Sequence, residues 1–199
     1  EGGMISTNDY ETYQISRMLR GHGMLRESND VKFKNKIIKK FPSLNKEFIF
    51  MYPGYNMRNN EIGAILGINQ LKRLNSNIKK RTSNFRFFLS KLDPKKFKTH
   101  FHLEGSSNYA LNLILQKPDK KLMNRIKSKL KKNNIEYRVG SAGGGNQLRQ
   151  PYLKNLFQNI NYMNFPNTEH IHFFAMYIGN YPELTKKNIT YICNLINSA

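Results

Sequence analysis

Tryptophan is absent from the 199 residues, and cysteine occurs once, at Cys193. A single thiol excludes an internal disulfide, a cysteine-based zinc cluster and a paired-thiol redox centre, and it fits a reducing, cytoplasmic compartment. No apolar run approaches the ~20 residues needed to cross a bilayer, and no secretory leader is visible, so no membrane partner is expected. Acidic residues are scarce: 13 Asp and Glu stand against 33 Lys and Arg, a net charge of +20. That excess is the usual footprint of a nucleic-acid binder. The lysines are spread through helices and loops and do not form one stripe, which argues against a nucleic-acid partner and leaves a basic binding module as an alternative only. At 39% hydrophobic and 12% aromatic the chain is globular, and it is long enough for one domain or two small ones.

Several catalytic patterns are also missing. No Gly-x-Ser-x-Gly elbow is present, and no Gly-Lys-Ser/Thr follows a glycine-rich loop. His170 and His172, two apart on a helix, point in different directions, and Glu169 beside them has no further ligand at useful spacing, so no zinc site is expected. His100 and His102 lack a third ligand.

What is present is an ordered series of elements. Met4–Thr7 reads as a short strand, and Asn8-Asp9 as a cap for a helix ending at Gly21. Lysine-rich residues 26–45 read as an exposed excursion, and Phe48–Met51 as an extended segment. A helix is expected from near Glu61 to about Leu89, ended by Asp93-Pro94. Tyr109, Leu111, Leu113 and Leu115 alternate as on a strand. Pro118-Asp119 opens a helix with Leu122, Met123, Ile126 and Leu130 on its apolar side, ended by Asn133-Asn134. Residues 135–139 and 175–178 read as strands, and 184–196 as a last helix. This order implies a small α+β layer after about residue 93.

Two stretches could carry chemistry. Pro53-Gly54-Tyr55-Asn56-Met57-Arg58 precedes the helix opened by Asn59, Asn60 and Glu61, and offers an amide and a guanidinium to an anion. A turn asparagine beside a surface arginine is the plainer reading of those two residues alone. Residues 138–151 hold three consecutive glycines, Gly143 to Gly145, between Arg138 and Arg149, with Asn146 and Gln147 adding amides. That composition suits a loop clamping a polar anion, or simply a flexible loop.

Gly54-Tyr55-Asn56-Met57-Arg58 followed by Gly67-Ile68-Asn69-Gln70-Leu71 resembles the segment after the active-site lysine in the DegT/DnrJ/EryC1/StrS family of sugar aminotransferases and dehydratases. Glu1-Gly2-Gly3-Met4-Ile5, Leu19-Arg20-Gly21-His22-Gly23 and Gly179-Asn180-Tyr181-Pro182 agree in order. The resemblance implies an α/β to α+β architecture: the C-terminal part of a fold-type-I enzyme dependent on pyridoxal 5′-phosphate. Residues 1–92 would be the end of the large domain with a long linking helix, and 93–199 the small α+β domain. It implies amino transfer, from a donor such as glutamate, to a nucleotide-linked keto sugar in surface polysaccharide biosynthesis. A sugar 3-dehydratase, with histidine replacing the lysine, is the alternative. The deciding residue would lie upstream of Glu1, so no catalytic residue is expected here and this half alone would be inactive. Asn56 and Arg58 would bind the cofactor phosphate across a homodimer interface around residues 54–74. His22, Tyr55, Arg138, Asn146 and Arg149 would contact substrate.

Overall fold

The computed structural model describes residues 3–142, 145–157 and 159–199, without the side chains of 154 and 155. Glu1 and Gly2 of the opening motif and Gly143 and Gly144 of the glycine run lie outside the described residues. Two compact units divide the chain, residues 1–71 and 72–199.

In the first unit, Asp9 caps helix α1 (Tyr10–Arg20) by accepting from the Thr12 N–H at 2.7 Å, and Gly21 stands at its C-terminus. Met4–Thr7 forms no strand: Met4 and Ile5 are 94% and 76% exposed, and no ladder partner lies beside them among the described residues. The lysine-rich excursion is largely exposed and carries a helix that was not expected. Asp30 accepts from the Phe33 N–H and opens helix α2 (Val31–Lys40), which anchors through buried Ile37. Met18, Leu25, Ile37 and Ile49 form a small core. Phe50 pairs with Met24 in an isolated bridge, which is all the strand character residues 48–51 possess. Asn60 accepts from the Gly63 N–H at 3.0 Å and caps helix α3 (Glu61–Leu71). No residue of α3 is buried, although Ile62, Ile65, Leu66, Ile68 and Leu71 are each at least 60% exposed hydrophobics.

The single long helix expected from Glu61 is two. Helix α4 (Leu74–Lys91) begins after a turn at Lys72-Arg73, and its buried stripe of Phe85, Phe88 and Leu89 belongs to the core of the second unit. The units therefore divide at 71/72, ahead of the expected 92/93, because α4 packs against the C-terminal elements.

The second unit is a three-stranded antiparallel sheet with helices packed on it. Strands β1 (Ala110–Ile114), β2 (Arg138–Val139) and β3 (Ala175–Gly179) lie in the order β1-β3-β2, with Leu111 opposite Ile178 and Leu113 opposite Met176. Those four side chains are buried, which fixes register, since a slip of one residue would turn them to the other face. Tyr109, expected with them, is 66% exposed just outside the strand. Asp119 caps helix α5 (Lys120–Lys132) through the Leu122 N–H, and its buried residues are the four expected: Leu122, Met123, Ile126 and Leu130. Strand β2 is two residues long, shorter than the expected 135–139, and just after it Gly140 passes close to α7: a Cβ there would lie 1.8 Å from the Ile171 carbonyl oxygen. Short helix α6 (Pro151–Leu156) and helix α7 (Pro166–Phe174) come between β2 and β3, and helix α8 (Lys186–Asn197) packs on α4 and α5.

Ile126 is fully buried, so Ile126→Ala is expected to lower unfolding free energy by about 2–5 kcal/mol, read as a lower urea midpoint at unchanged slope. Burial pushes the Cys193 thiol up to about 12. Cys193 is therefore expected to resist a maleimide reagent at neutral pH in the folded protein and to react once urea unfolds it.

Candidate functional site

In the first unit, the loop after Pro53 folds back on the end of α1. The His22 N–H donates to the Tyr55 carbonyl at 3.1 Å, and the Met57 N–H to the Arg20 carbonyl at 2.9 Å. These bonds frame a bridge between Gly21 and Asn56. His22 holds a φ of +62°, and Gly23 follows at +74°, where a Cβ would lie 1.8 Å from the Tyr52 carbonyl oxygen. Only glycine permits that approach. His22 and residues 50–54 line a shallow hollow of about 470 Å³. Four predicted residues, His22, Tyr55, Asn56 and Arg58, thus meet on one short stretch of surface, and all four side chains are exposed. The Asn56 amide has no partner among the described residues. The Arg58 guanidinium does, donating to Glu27 Oε1.

In the second unit, Asn146 and Arg149 converge on Glu169, a residue of α7. Glu169 Oε1 accepts from Asn146 Nδ2 at 2.7 Å and from Arg149 Nε at 2.7 Å, while Oε2 accepts from Arg149 Nη2. The guanidinium stacks 4.1 Å from the ring centre of Tyr162 and 4.9 Å from that of Phe173. His172 Nδ1 accepts the Asn146 backbone N–H at 3.0 Å, which leaves the neutral ring's proton on Nε2. Asn146 is 2% exposed. The Arg149 hydrogen bond, helped by Asn146, holds the Glu169 carboxyl below the usual carboxylate range, and the same bond lifts Arg149. Asn146 and Arg149 are thus engaged in an internal clamp on Glu169. Arg138 stays apart from it: exposed on β2, it is the cross-strand neighbour of Tyr177, whose ring meets Tyr109 edge-on at 5.9 Å. The His170 Nε2–H donates to the Leu115 carbonyl at 2.7 Å, and no group of three metal-ligating side chains occurs among the described residues.

The sequence motifs do not point to Glu27, and they bring out Glu169 only as a metal-ligand candidate, not as the partner of Arg149. Glu27 lies 31 residues before its arginine and Glu169 lies 20 after, and no local spacing rule links such pairs.

The family model for the DegT/DnrJ/EryC1/StrS aminotransferase family matches residues 1–197. The chain belongs to this family. Among curated proteins, GDP-4-keto-6-deoxy-D-mannose 3-dehydratase of Escherichia coli O55:H7 is 31% identical over 91% of this chain and 46% of its own length. The enzyme of the same description from Yersinia pseudotuberculosis is 27% identical over 98% of this chain and 49% of its own length. This chain therefore spans about half the length of the curated relatives it matches. Among solved structures, the Escherichia coli 3-dehydratase with bound hydrated pyridoxal phosphate superposes with a TM-score of 0.76, at 25% identity over 96% of this chain and 48% of that one. An aminotransferase of Helicobacter pylori involved in pseudoaminic acid biosynthesis superposes at 0.69, with 20% identity over 96% of this chain and 46% of that one, and supports the fold alone.

Glu169 is a carboxylate held ionised by its partners, so its contribution to stability is present above the unfolded value of about 4.5 and is lost as pH falls through the lower folded value. The urea-midpoint difference between wild type and Glu169→Gln should stay constant at neutral and mildly acidic pH and shrink below about pH 4.5. A difference that grew on acidification would contradict the clamp.

Proposed function

We propose that this chain is the C-terminal half of a pyridoxal-phosphate enzyme acting on a nucleotide-linked 4-keto-6-deoxy sugar, with loss of the 3-hydroxyl as the first reading. The observation that carries it is the similarity of 91% of the chain to a GDP-4-keto-6-deoxy-D-mannose 3-dehydratase. Amino transfer from a donor such as glutamate, the reading the motifs put first, becomes second. It is supported by the aminotransferase description of the matched family.

The residues present suit the cofactor's phosphate. An exposed amide without an internal partner, Asn56, stands beside an open hollow, in a loop fixed by backbone bonds to α1. In this reading the Asn56 Nδ2–H donates to a phosphate oxygen, a charge-assisted bond. His22, which lines the hollow, and Tyr55, next in the chain to its lining residue Gly54, contact the sugar. When bound, pyridoxal phosphate supplies the electron sink that makes bonds near the keto group labile. In the small domain the Glu169 clamp holds Asn146 and Arg149. Arg138, with its guanidinium exposed, is left to meet the anionic part of the nucleotide.

The exposed apolar residues of α3 are the surface this reading gives to a second copy of the chain, making a homodimer through residues 54–74. The cytoplasm is the compartment assigned. This reading assigns the residue that discriminates the two chemistries, lysine for amino transfer or histidine for dehydration, to a part of the full-length enzyme outside these 199 residues.

The first test is absorbance of the full-length protein with pyridoxal phosphate, before and after borohydride. Bound cofactor with no reducible protein linkage is the result expected of the dehydratase. A band at roughly 410–430 nm that borohydride abolishes would establish a lysine enzyme and move amino transfer to first place. No binding would overturn both and return the basic binding module. Asn56→Ala is expected to weaken pyridoxal phosphate about tenfold or more, the cost of one hydrogen bond to a charged group.

A further inference from the structure

Asn56 and Arg58 sit two residues apart and resemble a pair of phosphate ligands, yet their surroundings differ. The Asn56 amide has no partner among the described residues. The Arg58 guanidinium is tied to Glu27, whose side chain is 16% exposed against 42% for Arg58. The carboxylate is the fixed member of the pair. Glu27 ends the short turn of residues 25–27 after α1, and its backbone carbonyl accepts from Arg17 Nε at 2.8 Å. Arg26 Nε stands 3.8 Å from the same Oε1. The pair lies over Gly21: a Cβ there would come 2.8 Å from Glu27 Cγ and 2.9 Å from Arg58 Nη2. Gly21 is also the residue whose backbone bridges to Asn56. The ion pair therefore covers the bridge that holds Asn56 in place.

We propose that Arg58 is a positioning residue and Glu27 its anchor, together clamping the Asn56 loop to the end of α1, while Asn56 alone of this loop touches the phosphate. A guanidinium already facing a carboxylate has fewer donors for a phosphate dianion, and the carboxylate repels that dianion. The inference rests on the cofactor reading above and divides the labour within it.

The sign of one substitution decides the matter. Dissociation constants of the full-length protein are measured for pyridoxal phosphate and for pyridoxal, which lacks the phosphate. If the clamp operates, Glu27→Gln and Arg58→Gln each weaken pyridoxal phosphate about threefold to tenfold. The double variant is then no worse than either single one, and Arg58→Gln adds nothing in an Asn56→Ala background. Pyridoxal affinity stays within about twofold throughout, which a general loss of folding would not allow. If Arg58 is itself a phosphate ligand, Glu27→Gln frees it and leaves pyridoxal phosphate binding unchanged or tighter, while Arg58→Gln weakens it even without Asn56. That outcome overturns the inference and spares the cofactor reading. Wild-type protein that binds neither compound overturns both.

Discussion

In a chain this cationic, a carboxylate sheltered from water is a scarce resource, and the two candidate loops are each organised around one. Every ion pair among the described residues ends on Glu27 or Glu169. Their roles are parallel. Each is partly buried, and each holds an arginine, Arg58 or Arg149, from a stretch that approaches the backbone of another element closely. Gly21 and Gly140 mark those approaches. With 33 basic residues to 13 acidic, most cations have no carboxylate to pair with, and the partly buried carboxylates immobilise Arg58 and Arg149. The pairing contributes geometry more than stability, since half-exposed ion pairs are weak.

The parts legible in the sequence are those set by local rules. Asp9, Asp119 and the glycine after α1 mark helix ends because orphan backbone groups need partners nearby in the chain. The stripe on α5 was readable to the residue because a 3.6 period is imposed by one buried face. What escaped was set by distant partners. Helix α2 keeps a single buried residue, Ile37, so lysines drown its signal. Nothing local marks the turn at Lys72-Arg73: α3 and α4 look continuous until the core that α4 serves is known. Tyr109 fits the alternation of β1 but falls beyond the ladder.

The candidate sites divide the same way. His22, Tyr55, Asn56 and Arg58 could be singled out by motif, and the backbone bonds between residues 20–22 and 55–57 join them. Arg149 and Asn146 could be singled out too, but their engagement with Glu169 could not, since α7 shows no pattern of its own. Placing a guanidinium is easier than knowing whether it is free. Where a loop is proposed to bind an anion, that second question separates a ligand from a strut.

Helix α3 has eleven residues and no buried side chain. In water, a helix of that length is marginal on its own backbone bonds. Its N-terminal cap, Asn60, lies only four residues past Asn56. Covering α3 by a neighbouring surface would thus stiffen the very loop that presents the amide. If that neighbour is the second copy proposed above, protein association and the proposed cofactor binding are linked equilibria: dilution would loosen the vitamin-derived group, and loading it would favour association.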